Sequence, residues 1–463
     1  MRVLILLLLM EKERENFAGR FAVVMAFAGS AIGLGNIWRF PYMTGQYGGA
    51  AFVLVYIVAS LLLSLPIFLS EAVIGRSSRS NAFGAMKTLA PKSHFWQLLG
   101  YLFILTPMIV ESYYSVVGGW SLDYLYKSCT LAFVNADPQS VSNTFGSFLS
   151  SPWQPILFHL LFLSISMLVV VLGVKTGIEK FSKVSIPLLF VMIVLIAIYS
   201  FTLPGAKAGI DYLIRPDFSK ITPKTCAYAI GQSFYSLSLG MGIIVTYSSY
   251  VSKKENLFVS GFATAISDLS FALLAGFAIM PAVFAAGIAP SSGPGLIFQT
   301  LPYIFTTMAD SMPVISSIVA ILFFLTVLVA ALTSSISLIE VGVAYLIEEM
   351  HVSRGLACLI VFIFTGALGV FCCMSFGPLA DVKIFGKAIF DTLDAFSSNY
   401  LMTIGAFLAV IFVGWKMSKS VVRDEITNSG TLRGTSRGFG VIYFLIKYLA
   451  PLAIAVIFIT NLL

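Results

Sequence analysis

Ala28-Gly29-Ser30-Ala31-Ile32-Gly33-Leu34-Gly35-Asn36, followed by Ile37-Trp38-Arg39-Phe40-Pro41, is an apolar stretch interrupted at its centre. A glycine inside a helix costs about 1 kcal/mol relative to alanine, and a buried amide needs a partner. A straight helix would not choose Gly33, Gly35 and Asn36 together. A second interruption reads Gly231-Gln232-Ser233-Phe234-Tyr235-Ser236-Leu237-Ser238-Leu239-Gly240-Met241-Gly242. Small residues of this kind allow close helix packing. They also allow a helix to break, freeing backbone carbonyls and amides to hold ions. Taken singly, each segment leaves both readings open.

The surrounding sequence supplies the context. Of 463 residues, 58% are hydrophobic and only 11% charged, with 40 Phe. A soluble domain carries about 25% charged residues, so a cytosolic enzyme, a disordered scaffold and a nucleic-acid binder are all excluded. Five Cys without a Cys-x-x-Cys spacing and three scattered His give no metal cluster and no disulfide framework. A bilayer core of about 30 Å needs roughly 20 apolar residues per helix, and such stretches must be helical because lipid cannot satisfy loose backbone. Eleven qualify: 17–41, 48–75, 95–127, 156–173, 180–203, 225–251, 257–286, 313–348, 355–373, 386–415 and 438–460. The expected class is an all-α integral membrane protein with eleven transmembrane helices.

Most of the 28 Lys and Arg fall on one side when the N-terminus is placed in the cytoplasm. Arg76, Arg79, Lys175, Lys253, Lys254, Lys416 and Arg423 are examples. The net charge of +7 therefore records cytoplasmic loops, and an odd helix count puts the C-terminus outside. No Asn-x-Ser/Thr sequon occurs, which fits a bacterial inner membrane. Arg2 to Leu9 is too short to span and lacks a cleavage site. Met10, followed by Glu11-Lys12-Glu13-Arg14, reads as the natural start. The chain divides into an N-terminal segment (1–16), a five-helix half (17–203), a second half with its preceding outer loop (204–415), and a basic connector with the eleventh helix (416–463).

The two interruptions are then the first and sixth spans, equivalent places in two five-helix halves. That arrangement is the mark of a transporter built from inverted repeats. The residues resemble the neurotransmitter:sodium symporter family in its bacterial amino-acid branch. The resemblance rests on Gly33-Leu34-Gly35-Asn36-x-Trp38-Arg39-Phe40-Pro41, Gly48-Gly49-Ala50-Ala51-Phe52 and Glu71-Ala72-Val73-Ile74-Gly75-Arg76. Tyr113-Tyr114-Ser115-Val116-Val117-Gly118-Gly119-Trp120, the sixth span and Leu332-Thr333-Ser334-Ser335-Ile336-Ser337 complete it. It covers essentially residues 11–460.

The resemblance implies a sodium-coupled, non-enzymatic symporter that binds its ions and substrate at mid-membrane. One sodium would be held by Ala31, Asn36, Ser236 and Asp268, with the substrate carboxylate. A second would be held by carbonyls of Gly29, Ile32 and Ala330 and hydroxyls of Thr333 and Ser334. A carboxylate such as Asp268 within a membrane helix is costly and defaults to a functional reading. Substrate would be met by Ala31, Gly33, Gly35, Tyr114 and Ser236, and its side chain by Val110, Tyr235, Ser238, Met241, Ser334 and Leu338. Gly33 stands where the monoamine branch carries an Asp, and no basic residue awaits an acidic side chain. The expected cargo is a neutral, hydrophobic or aromatic L-amino acid. Arg39 and Asp394 match the family's outer gate, and Arg14 and Glu348 its inner gate, near Tyr250.

Some residues depart from the pattern. Ala272, one turn beyond Asp268, lacks the hydroxyl that helps hold chloride in animal members. With Asp268 supplying negative charge, chloride independence is expected, and Tyr56, Gln232 and Ser236 are remnants of the anion site. Glu111 lies where an apolar residue is expected, as a proton-linked group or as a partner to a neighbouring helix; Glu340 poses the same question. A Glu at 348, where relatives often have Asp, alters the inner pair. Proton coupling on the same fold is the competing reading, but proton-driven relatives commonly replace the second sodium site with a basic side chain. A non-transporting amino-acid sensor would carry the same site.

Overall fold

The computed structural model describes residues 16–133, 138–287, 297–309 and 312–462. Arg14 and the Met10 start lie outside the described residues. The architecture is all-helical, and the first span is broken where the sequence is. Helix α1 (Arg20–Ala31) and α2 (Gly35–Gln46) meet at an angle of 51°. After Gly48 and Gly49, both at positive φ, comes α3 (Ala50–Ser78). A Cβ on Gly49 would lie 2.5 Å from the Tyr212 carbonyl oxygen, so the turn admits no side chain. A short helix, α4 (Ala82–Leu89), is capped by the Asn81 side chain, which accepts from the amides of Phe83 and Gly84.

The chain then crosses as α5 (His94–Cys129), passes α6 (Pro138–Ser150), and returns as α7 (Gln154–Val171) and α8 (Val174–Phe201). A short α9 (Ala206–Ile214) leads to the second broken span, α10 (Pro223–Ser236) and α11 (Ile243–Ser249). Thr222 caps α10 ahead of Pro223, a proline at the first helical position. Next come α12 (Leu257–Ala285), α13 (Thr300–Ala309), α14 (Pro313–Glu349) and α15 (Arg354–Met374). The last elements are α16 (Ile389–Lys416), α17 (Lys419–Thr427) and α18 (Thr435–Phe458). Among the described residues nine unbroken helices are long and apolar enough to cross a membrane, and the α1/α2 pair is a further bent span. With α10/α11, two helices individually too short to span, each of the eleven expected stretches has its counterpart.

Burial explains the patterning. In α8, Ile186, Leu189 and Ile193 are buried, whereas Val184, Val191, Leu195 and Ile198 are exposed. Both faces are apolar, as a helix between protein and lipid requires. The longest helices, α5 and α14, pack most extensively against each other and are joined by α7 and α15. Against α14 of this scaffold lie α1 and α11, one helix from each broken span, with α3 packed on α11 and α12 on α1.

Candidate functional site

The break in the sixth span begins at Leu237 and includes three residues at positive φ: Ser238 (55°), Gly240 (76°) and Gly242 (67°). A Cβ on Gly242 would come within 2.7 Å of Phe103 Cβ, and one on Gly240 would collide with the Met402 carbonyl. The glycines are needed for backbone direction and for close approach together. Ser238 donates to the Ser30 carbonyl (2.8 Å), which ties this break to that of the first span.

The residues expected at the first ion position come together. Asn36 Oδ1 accepts from the Gly33 amide (3.0 Å), and its Nδ2 donates to Asp268 Oδ1 (2.7 Å) and reaches Ser236 Oγ (3.1 Å). The Ser236 hydroxyl lies 2.8 and 2.9 Å from the two Asp268 carboxylate oxygens. Tyr56 donates to Asp268 Oδ2 (3.2 Å). All four side chains are buried. Four helices, α2, α3, α10 and α12, therefore converge on one carboxylate that no Lys or Arg contacts among the described residues. Gln232 donates to the Gly35 carbonyl (3.0 Å), and Ala272 is buried one turn beyond Asp268.

The second group lies between α1 and α14. Thr333 Oγ1 is 3.1 Å from the Ile32 carbonyl and 2.9 Å from that of Ala330. Ser334 Oγ lies 3.5 Å from the Ile32 carbonyl and 3.4 Å from that of Ser30. Gly29 faces them: a Cβ there would be 3.7 Å from Thr333 Cβ and 3.0 Å from Ser182 Oγ. This oxygen-rich cluster suits a hard cation. Among the described residues no group of three His, Cys, Asp or Glu could hold a softer metal.

Between the two groups is a small cavity. Its walls include Ala31, Gly33 and Gly35 from the first break and Tyr235, Ser238 and Met241 from the sixth span. Val110, Tyr114, Ser334 and Leu338 close it from α5 and α14. Ser236 does not line it; its hydroxyl is turned to Asp268. Ser30 does line it, and its serine type alone gave no reason to single it out from its neighbours. Tyr114 accepts a hydrogen bond from the Leu34 amide (3.2 Å). A Cβ on Gly33 would be 2.8 Å from the Tyr114 hydroxyl and would collide with Ser334 Oγ. The glycine is what keeps the cavity open there.

The gate residues divide. Arg39 stacks its guanidinium 4.3 Å over the Tyr235 ring, a cation–π lid above the cavity. Asp394 accepts from Ser398 (3.0 Å), and no ion pair joins it to Arg39 among the described residues. On the inner side Glu348 accepts from the amide (2.8 Å) and side chain (3.1 Å) of Asn81. Tyr250 donates to Glu340 Oε1 (2.9 Å), and Glu340 pairs with Arg354 at 2.5 Å. Arg354 was not singled out in the sequence. Its type and position, a basic residue opening a helix, are those of an ordinary cytoplasmic helix end.

Comparison with known proteins agrees with this geometry. The model of the sodium:neurotransmitter symporter family matches residues 14–145 and 155–463. An uncharacterized sodium-dependent transporter of Bacillus subtilis, YhdH, is 38% identical over 456 residues, 97% of this chain and 98% of its own. One from Haemophilus influenzae is 37% identical over 461 residues, 97% of this chain and 99% of its own. The crystal structure of MhsT in complex with L-phenylalanine superposes with a TM-score of 0.89 at 38% identity, over 97% of this chain and 100% of that one. Two broken spans, oxygen clusters beside each break and a cavity between them are thus accompanied by likeness over nearly the whole length. The chain belongs to the sodium:neurotransmitter symporter family, multi-pass membrane transporters rather than enzymes.

Proposed function

We propose that the protein carries a neutral, hydrophobic or aromatic L-amino acid inward together with two sodium ions, without chloride. The observation that carries this reading is the cavity itself: a small, mainly apolar space bounded by both helix breaks and flanked by two oxygen clusters. Sodium is here a co-substrate. Asn36, Ser236, Asp268 and the Ala31 carbonyl would hold one ion, and Gly29, Ile32, Ala330, Thr333 and Ser334 the other.

The chemistry of an α-amino acid suits the remaining groups. Its carboxylate would meet the first ion, the amides near Gly35 and the Tyr114 hydroxyl; its ammonium would meet carbonyls freed at the breaks. A carboxylate left without a cation in this interior would be strongly unfavourable. Ion and substrate therefore stabilise each other, and the coupling is reciprocal. With Gly33 in place of a carboxylate there is space for the substrate's own. Met241 adapts to bulky side chains, and no Lys, Arg or His lines the cavity. MhsT, similar over the whole length, is known in complex with L-phenylalanine.

Alternating access would move the broken helices against the α5/α14 scaffold. The Arg39–Tyr235 lid would open on the outer side, and contacts of Tyr250 and Glu348 on the inner. The two halves, 17–203 and 204–415, would be the moving repeats, with the N-terminus cytoplasmic in a bacterial inner membrane. Competition tests the substrate class: in proteoliposomes, unlabelled Leu, Phe and Trp should suppress uptake of labelled L-phenylalanine, whereas Glu and Lys should not. Equal suppression by Glu or Lys would overturn the reading of the cavity.

A further inference from the structure

The second ion position contains no formal negative charge. Its expected ligands are three backbone carbonyls and the hydroxyls of Thr333 and Ser334. A cation entering this cage leaves its hydration and meets only neutral oxygens. The first position differs, because Asp268 stands in it. A carboxylate near the second position would lower the cost of this step.

Most buried carboxyls elsewhere have a cationic partner. Glu340 pairs with Arg354, Glu179 with Lys183, Asp123 with Lys127, and Glu425 with Arg76 and Lys253. Besides Asp268, Glu71 and Glu111 pair with no cation among the described residues. Glu71 Oε1 accepts the Gly240 amide (2.7 Å) at the break of the sixth span, and its Oε2 has no partner among the described residues. Of these two, Glu111 is the one whose hydrogen bond leads to α14. It is fully buried in α5; its Oε1 accepts one hydrogen bond, from Ser335 (2.6 Å), and its Oε2 has no partner among the described residues. The polar groups beside it are Tyr114 on its own helix, Ser335 on α14 and, through Ser335, Ser166 on α7 (2.9 Å). Tyr114 is engaged with Leu34. No cation contacts the Glu111 carboxyl among the described residues.

Its one hydrogen bond leads to the right place. Ser335 directly follows Thr333 and Ser334, the two hydroxyls that approach the Ile32 carbonyl. We propose that Glu111 is the countercharge of the second sodium ion: a positioning residue, not a ligand, that acts through space and through Ser335 on the turn carrying both hydroxyl ligands. Coulomb attraction falls off only as the inverse of distance where solvent is excluded, so the carboxylate need not touch the ion. The inference rests on the sodium-symport reading given above.

Radiosodium binding to the purified full-length chain tests it, with tritiated L-phenylalanine as the substrate probe. Glu111→Gln keeps the shape and the acceptor for Ser335 but removes the charge. The sodium concentration for half-saturation should rise about tenfold, while phenylalanine affinity at saturating sodium stays within about twofold. Glu111→Asp, which keeps the charge, should remain near wild type. Glu111→Met, neutral and apolar, should lose sodium affinity like the Gln variant and provides the test if that variant does not fold. Wild-type sodium half-saturation in a folded Gln or Met variant would overturn the proposal. Absence of saturable sodium binding in the wild type would instead overturn the symport reading itself.

Discussion

On the proposed reading, Asp268 sets the ion requirement of the first site. Its carboxylate collects donors from Asn36, Ser236 and Tyr56. Removing one partner of such a buried network leaves the others unsatisfied, at about 1–3 kcal/mol for each uncharged group. Asp268→Asn should therefore raise the sodium concentration for half-maximal uptake at least tenfold, and Asp268→Ala should abolish uptake. If Asp268 supplies the negative charge, the Asn variant should also respond to chloride while the wild type does not. Uptake by the two proteins in gluconate and chloride media checks both statements. Gly33 makes a second residue-scale case. Gly33→Ala would press on Tyr114 and Ser334, so phenylalanine affinity should fall at least tenfold with little change in melting temperature. Unchanged affinity in that variant would mean that the cavity is not the substrate site.

At the scale of elements, the breaks were legible because they violate what a membrane helix needs. Glycines and an Asn at mid-depth have no lipid-facing explanation, and both broken spans are where the sequence placed them. The candidate site residues, by contrast, were selected through the resemblance to the family. Ten of the eleven residues that line the cavity were named from the sequence, Ser30 being the addition. What was not legible is partnership between distant elements. Ser182 facing Gly29 and Arg76 on Glu425 join residues far apart in the chain. Spacing along a sequence carries no record of which helix packs against which. Gly240 belongs to this scale, because its positive φ and its approach to Met402 are both needed to start α11. Gly240→Ala combines backbone strain with a steric clash and should lower stability by about 2–4 kcal/mol. Thermal unfolding in detergent would register this as a clear drop in melting temperature, and a wild-type value would contradict it.

Over the whole molecule, charge pairs tie helices together on the side proposed to face inward, Arg76–Glu425 across the chain and Glu340–Arg354 between consecutive helices. Glu340 is fully buried, Arg354 is largely so, and Tyr250 leans on the same carboxylate. Breaking one half of such a pair is costly, about 3–5 kcal/mol, whereas replacing both halves with apolar groups is often neutral. Arg354→Leu alone should lower the melting temperature strongly, and adding Glu340→Leu should restore much of it. Transport should not recover with stability in the double variant, because the reversible contact to Tyr250 is gone. A double variant that transports like wild type would remove this pair from the inner gate.

The central claim is that sodium and a hydrophobic amino acid occupy the space between the two helix breaks together. Uptake of labelled L-phenylalanine into proteoliposomes, with an inward sodium gradient against equimolar choline and gluconate as the only anion, tests it most directly. The account predicts accumulation above equilibrium with sodium and none with choline. Uptake that ignores sodium and follows an imposed pH gradient would contradict it.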